Sequence, residues 1–229
     1  MPIEQIFNNN FDLGIDIVMC IDATGSMQWV VDGIKENALS FYRKLVAKAE
    51  ENGSAVAKVR VKIIVFRDYA FDAEPMMESR FFTMDEDFDE LYAFLGGIKA
   101  RGGGDLPENA LEALALAVKS DWSRECRRRR HAIIMWTDAP ALALGERSGE
   151  ELYPSDMPKD MGELEELWKE MMDKRAKRLI VFAPNAEPWH GIEDWESVLY
   201  QERFTNYTRG VDIEPDIDTC VWAILNTIG

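Results

Sequence analysis

The feature that most constrains this chain is the run Ile15-Asp16-Ile17-Val18-Met19-Cys20-Ile21, which stops at Asp22-Ala23-Thr24-Gly25-Ser26. A short, β-branched and mostly apolar run bounded by turn residues reads as a buried strand. Helix-forming sequence follows from about 26 to 51, with Val30, Val31, Ile34, Ala38, Phe41, Leu45 and Ala49 near helical spacing. The strand therefore ends in a carboxylate and two hydroxyls, each two residues apart, just before a helix. In doubly wound sheets, ligands bind at such carboxyl ends of parallel strands. The donors here are hard oxygens, which suit Mg²⁺, Mn²⁺ or Ca²⁺, rather than the glycine cradle of a nucleotide site.

Two later loops also offer an acid. Gly102-Gly103-Gly104-Asp105-Leu106-Pro107-Glu108 opens a helix carrying Leu111, Leu114, Ala115 and Val118, and Pro107 suits its first turn. Arg127 to Arg130 read as a solvated connection into the strand His131–Trp136, which ends at Thr137-Asp138-Ala139-Pro140. Asp22 and Asp138 both follow long apolar strands, so parallel strands place them on one rim. The glycine run lets the Asp105 loop approach that rim closely. Capping of the first helix is the plain alternative for Asp22, Thr24 and Ser26, but it leaves the other two acidic loops unexplained.

The rest of the chain continues the alternation. Strands are expected at 59–66, 79–83 (short, antiparallel, at the sheet edge), 178–183 and 204–207. Helices are expected from Phe88 through Ile98, over 161–176, near 192–201 and over 217–228, with a polar excursion above the sheet at 141–160. Trp189, Ile192 and Trp195 read as a helix face packed on the sheet, and Leu164, Leu167, Trp168 and Met171 as the core side of another helix. Residues 1–13 read as a short leader and 14–229 as one domain. The pattern predicts an α/β fold, a doubly wound, mostly parallel central sheet flanked by helices on both faces.

Composition narrows the function. With 26 Lys and Arg against 42 Asp and Glu, the net charge is −16, which disfavours nucleic acid and anionic membranes as partners. No apolar stretch is long enough to span a bilayer, and the N-terminus carries no basic signal region. Three widely spaced cysteines with no CxxC pair point to reduced thiols and a cytoplasmic protein. His131 and His190 have no second histidine at ligand spacing, which argues against zinc. There is no GxxxxGK[ST], GxGxxG or GxSxG motif, and Thr24 stands where a dehalogenase-type phosphatase needs its second Asp. No general base pairs with the candidate site, so the chain reads as a non-enzyme.

Taken together, Asp22-Ala23-Thr24-Gly25-Ser26, the Gly-Gly-Gly-Asp-Leu-Pro-Glu loop and Thr137-Asp138-Ala139-Pro140 resemble the von Willebrand factor A domain. The first segment matches the D-x-[ST]-x-S pattern of that family's metal-ion-dependent adhesion site at all three positions. The third matches its strand-end Thr-Asp through the acid. Asp105 stands where most members carry a Thr. The set is most similar to the intracellular branch that includes A domains attached to alpha-kinases, and the resemblance covers about residues 14–228.

The resemblance implies a metal held by Thr24, Ser26, Asp22, Asp105 and Asp138: Mg²⁺ or Mn²⁺ ahead of Ca²⁺, because small hydroxyl-rich sites favour smaller ions. It implies a partner protein, of unspecified identity, that offers an acidic or other oxygen ligand to the open position. The expected function is a metal-dependent protein–protein interaction module with an intracellular regulatory or scaffolding role. Two alternatives are an interaction module that binds through another face such as 141–160, with the metal purely structural, and a metal-dependent hydrolase such as a phosphatase.

Overall fold

The structure, a computed structural model, describes residues 12–103, 107–203 and 214–226. Strand β1 (Asp12–Asp22) lies at the centre of a seven-stranded sheet. It pairs in parallel with β2 (Ala55–Phe66) on one side and β5 (Arg128–Trp136) on the other. Beyond β5 the parallel order continues through β6 (Lys177–Ala183) and β7 (Val198–Glu202). The short strands β3 (Met76–Glu78) and β4 (Phe82–Thr83) close the other edge, antiparallel to β2.

The side-chain period of two sorts β1 into two faces. Ile15, Ile17, Met19 and Ile21 face α1 (Gln28–Glu51), α2 (Phe88–Gly97) and α6 (Glu214–Leu225) in one apolar cluster. Val18 and Cys20 face α3 (Ala110–Val118), α4 (Met161–Met171) and α5 (Trp189–Glu193) in the other. This is the doubly wound arrangement expected from the alternation. Helix α3 is buried nearly all round, and its alanines at 110, 113, 115 and 117 let it lie close to the sheet.

Several boundaries differ from expectation, each for a local reason. β1 begins at Asp12 rather than residue 15. β2 likewise begins at Ala55 rather than 59. Arg128, Arg129 and Arg130 are not a connection but the start of β5, in register with Leu13, Gly14 and Ile15. The expected strand over 79–83 is split, because the Ser79 hydroxyl accepts from the Ile63 amide (2.9 Å) and takes over a ladder bond of β2.

Helix α3 starts at Ala110, leaving Pro107 outside its first turn. The backbone of Glu108 is held instead by Pro140 (N–H to carbonyl, 3.1 Å) and Leu142 (2.8 Å). Helix α4 ends at Met171, where Asp173 forms a side-chain turn to the Arg175 amide (2.9 Å), and Met171 is exposed rather than core. The expected helix over 192–201 is contradicted. α5 stops at Glu193, Ser197 turns the chain at φ 65°, and the β-prone run Val198-Leu199-Tyr200 pairs with β6. Trp189, Ile192 and Trp195 do pack into the core. The strand expected at 204–207 lies outside the described residues. No helix among the described residues is long and apolar enough to cross a membrane.

At the amino end of the sheet, Asp16 accepts both Arg60 guanidinium bonds (2.8 and 2.6 Å) and the Ser123 amide (2.7 Å). His131 lies beside them, its ring 5.2 Å from that of Trp122 and its Nε2 3.0 Å from the Ser123 carbonyl. Burial lowers the His131 pKa below its ordinary value, against the pull of Asp16.

Leu45 is fully buried between α1 and the sheet. Leu45→Ala is expected to cost about 2–5 kcal/mol in urea unfolding. A neutral buried imidazole that the unfolded chain would protonate adds stability above its unfolded pKa and loses it as pH falls. Stability of the wild type should therefore drop more steeply than that of His131→Gln between neutral and mildly acidic pH. Parallel pH profiles of the two proteins would contradict this.

Candidate functional site

Asp22 is the last residue of β1 and is completely buried. Its Oδ1 accepts from the Thr24 amide (2.9 Å) and the Thr24 hydroxyl (2.7 Å). Its Oδ2 accepts from the Thr137 hydroxyl (2.7 Å), which follows the neighbouring strand β5. The Thr137 hydroxyl in turn accepts from the Ala139 amide (3.1 Å). One carboxylate thus fixes two loops at adjacent strand ends.

The Thr24 proton points at Asp22, so its oxygen lone pairs are left to face elsewhere. They lie beside the Ser26 hydroxyl, 3.4 Å away. Ser26 is exposed in a short 3₁₀ turn (Gly25–Met27) that leads into α1, and Thr24 makes no side-chain cap to that turn. Capping alone therefore does not account for Thr24. Asp138 lies close enough to Asp22 to raise its pKa, and its own Oδ1 is buried without a hydrogen-bond partner.

The glycine loop closes the third side. Gly103, at φ 82°, is so close to Thr24 that a Cβ there would stand 3.1 Å from the threonine Cβ. Gly102, at φ 76°, would drive a Cβ into the Asp72 carboxylate. Its carbonyl accepts from the Gly25 amide (3.4 Å), and the Arg101 amide donates to the Ala23 carbonyl (2.9 Å). Only glycine allows this approach at positive φ. Asp105 itself lies outside the described residues.

Arg67, at the end of β2 and buried, holds the rim from below. It donates to the carbonyls of Ala23 (3.0 Å), Glu74 (2.8 Å) and Lys99 (2.9 Å). Asp68 is fully buried and receives a two-pronged pair from Arg147 (2.9 and 2.7 Å), which ties the 141–160 excursion to the end of β2. Two further acids complete the rim: Asp72, and Glu108 at 1% exposure with Oε2 unpartnered.

The result is a crowd of carboxyls in a dry setting. Burial, then the hydrogen bonds of Thr24, then the nearness of Asp138 set the Asp22 pKa, raised to about 6. Burial pushes Glu108 up to about 9, reinforced by Asp22, Asp68, Asp72 and Asp138. A buried carboxyl without a partner is costly when charged, so this rim favours either a bound proton or a bound cation.

Of the expected site residues, Asp22, Thr24, Ser26 and Asp138 are brought to one rim. Glu108 and Asp72 were not assigned to the site from sequence, Thr137 entered only through the Thr-Asp match, and Arg67-Asp68, at the end of the strand over 59–66, read equally as a border of the site or as packing. Glu108 stood in the glycine loop and Thr137 beside Asp138, but nothing in their spacing told a rim group from a structural one. Among the described residues, no three His, Cys, Asp or Glu side chains are close enough to hold an ion together. The oxygens that fit a hard divalent ion are the two hydroxyls and the unpartnered Asp138 Oδ1, a donor set of the right chemistry.

The family model for the von Willebrand factor A domain matches residues 16–146. Comparison with curated protein sequences yields no match. Among solved structures, the pilus adhesin SpaC from Lactobacillus rhamnosus GG is similar with a TM-score of 0.57 at 11% identity, over 93% of this chain and 30% of SpaC. Its open conformation gives 0.53 at 11% identity over the same shares. Proximal thread matrix protein 1 from the mussel byssus gives 0.46 at 12% identity, over 94% of this chain and 48% of that one. The chain thus spans less than a third of the SpaC chain, and at this identity the likeness concerns the fold alone. The family match spans more than half of the sequence and includes all three acidic loops whole, Asp22–Ser26, Gly102–Glu108 and Thr137–Pro140, so this chain belongs to the von Willebrand factor A domain family.

Proposed function

We propose that this chain is a divalent-metal-dependent protein-interaction module, with the metal-ion-dependent adhesion site on the carboxyl rim of its sheet. The observation that carries the reading is the Asp22 carboxylate, which orients Thr24 and Thr137 together and so aligns the two strand-end loops. Thr24, Ser26 and Asp138 would hold Mg²⁺ or Mn²⁺, with Asp105 from the glycine loop and Asp22 acting directly or through water. When bound, such an ion supplies an open coordination position for an oxygen donor on a partner protein.

The chain's own residues do the preparation. Asp22 fixes the Thr24 rotamer, Thr137 joins the neighbouring loop to it, and Arg67 anchors the backbone beneath. The excursion at 141–160 belongs to the same surface, because Arg147 binds it to Asp68. Of the two histidines, His131 lies at the amino end of the sheet, away from this rim, and the His190 ring packs edge-on against Tyr200. SpaC, the similar solved structure, is by its description an adhesin. An intracellular setting, as in the alpha-kinase-associated branch, is consistent with three free cysteines, two of them buried.

Thermal unfolding with Mg²⁺, Mn²⁺ and Ca²⁺ tests the reading. A metal at about 100 times its dissociation constant should stabilise the wild type by roughly 2.7 kcal/mol. Asp22→Ala and the milder Ser26→Ala should lose that response. A metal-stripped wild type that ignores all three ions would contradict the site. Thr137→Val leaves Asp22 and the Ala139 amide short of a partner, and is expected to cost about 1–3 kcal/mol while weakening the metal response. Asp105→Thr removes one negative charge from the site and should weaken Mg²⁺ binding; unchanged affinity by calorimetry would remove Asp105 from the ligand set.

A further inference from the structure

Glu108 keeps its proton at neutral pH, and Arg67 lies buried beside Asp22 and Asp72. Acids still outnumber cations around the rim, with Asp22, Asp68, Asp72, Asp138, Glu74, Glu146, Glu150 and Glu151 against Arg67, Arg101 and Arg147, an excess that one divalent ion does not offset. Among the described residues, the ion pairs of this region are Arg147 with Asp68 and Arg101 with Glu74, and neither includes Asp22, Asp72, Glu108 or Asp138. Glu108 is 1% exposed, its Oε2 has no partner, and its Oε1 stands 3.6 Å from where a Cβ on Gly103 would be. It is therefore aimed at the same glycine loop that packs on Thr24. Asp22 and Asp138 together would already match the charge of a divalent ion. A further acid from a partner would meet like charge at short range, which selects against such partners.

Beside this rim lies an unusual pair of exposed apolar groups. Phe71 is 57% and Leu152 is 58% exposed. Leu152 closes a groove of about 300 Å³ with Tyr69, Ala73, Pro75, Met76 and Met77. Phe71 is the immediate neighbour of Asp72, and its ring lies under the Arg147 guanidinium, which is itself bound to Asp68. The segments that flank the groove bring Glu74, Glu146, Glu150 and Glu151. Exposed large apolar side chains inside a charged border are how interaction sites present anchors.

We propose that the partner docked on this rim is a basic and apolar protein segment, in which a Lys or Arg lies over the acidic rim and a large apolar side chain enters the groove beside Leu152. The inference rests on the recognition role proposed above, and it replaces the acidic side chain of a metal-bridging partner with a neutral oxygen donor next to a cation. The metal then acts to fix the loops and moderate the field, and charge and groove choose the partner.

Three fluorescein-labelled peptides test this on the full chain by anisotropy: a Leu-Lys repeat, a Leu-Glu repeat of equal length, and an Ala-Lys repeat of equal charge. In Mg²⁺ the Leu-Lys peptide should bind about tenfold tighter than either of the others, and its affinity should fall as salt rises. Phe71→Ser with Leu152→Ser, which changes no charge and disturbs no core, should weaken it about fivefold or more. Tighter binding of the Leu-Glu peptide, equal affinity for the two lysine peptides, indifference to the double substitution, or no binding would each overturn the proposal. Repeating the titrations with chelator separates the two claims. A Leu-Lys preference that survives chelation removes the metal-dependent reading alone, whereas a Mg²⁺-dependent preference for Leu-Glu keeps that reading and removes this one.

Discussion

The rest of the rim depends on one buried carboxylate. Asp22 ends the central strand with no exposure to solvent and is held by three short hydrogen bonds, two from Thr24 and one from Thr137. Such a group is costly to bury and becomes tolerable only when its acceptors are filled. Filling them locks the loop after β1 to the loop after β5, and these two strands are neighbours because the sheet is parallel at its centre. The hydroxyl of Thr24 then has a fixed proton direction and a free acceptor side. A packing requirement in the core thus becomes an oriented oxygen at the surface.

The remaining rim follows from the need to cover that carboxylate. The glycines at 102 and 103 bring backbone against Ala23, Thr24 and Gly25, and Arg67 ties the Ala23, Glu74 and Lys99 carbonyls together beneath. Glu108 is drawn in because its backbone bridges to Pro140 and Leu142 on the far side of the site. The acids accumulate through these backbone demands, and the outcome is a field that burial strengthens. That field bears on both halves of the functional account: it invites a cation, and it discriminates among the side chains that a partner can bring.

The fold was legible where one physical signal dominated. The apolar runs of β1, β5 and β6 and the helical spacing of α1 each have a single reading, so the parallel α/β order could be taken from sequence. The chain was misread where polar side chains decide the ladder. Ser79 and Asp173 end their elements by bonding backbone amides, and Ser197 turns the chain so that Val198–Glu202 joins the sheet rather than extending α5. At the site, Asp22, Thr24, Ser26 and Asp138 were legible because they follow apolar strands at once. Asp72 and Glu108 were not, because their part in the site depends on which loops meet above the sheet. The arginines at 128–130 misled for a related reason, since a strand can start with charged residues when its first positions lie at the open amino end.

The central claim is that Thr24 and Ser26, oriented by Asp22, hold a divalent ion on this rim. Anomalous diffraction from crystals of the full chain grown with Mn²⁺ tests it most directly. The account predicts one strong peak at the rim, with the hydroxyl oxygens of Thr24 and Ser26 at about 2.0–2.3 Å, as hard-cation coordination requires. No peak there, with Mn²⁺ bound elsewhere or not at all, would contradict it.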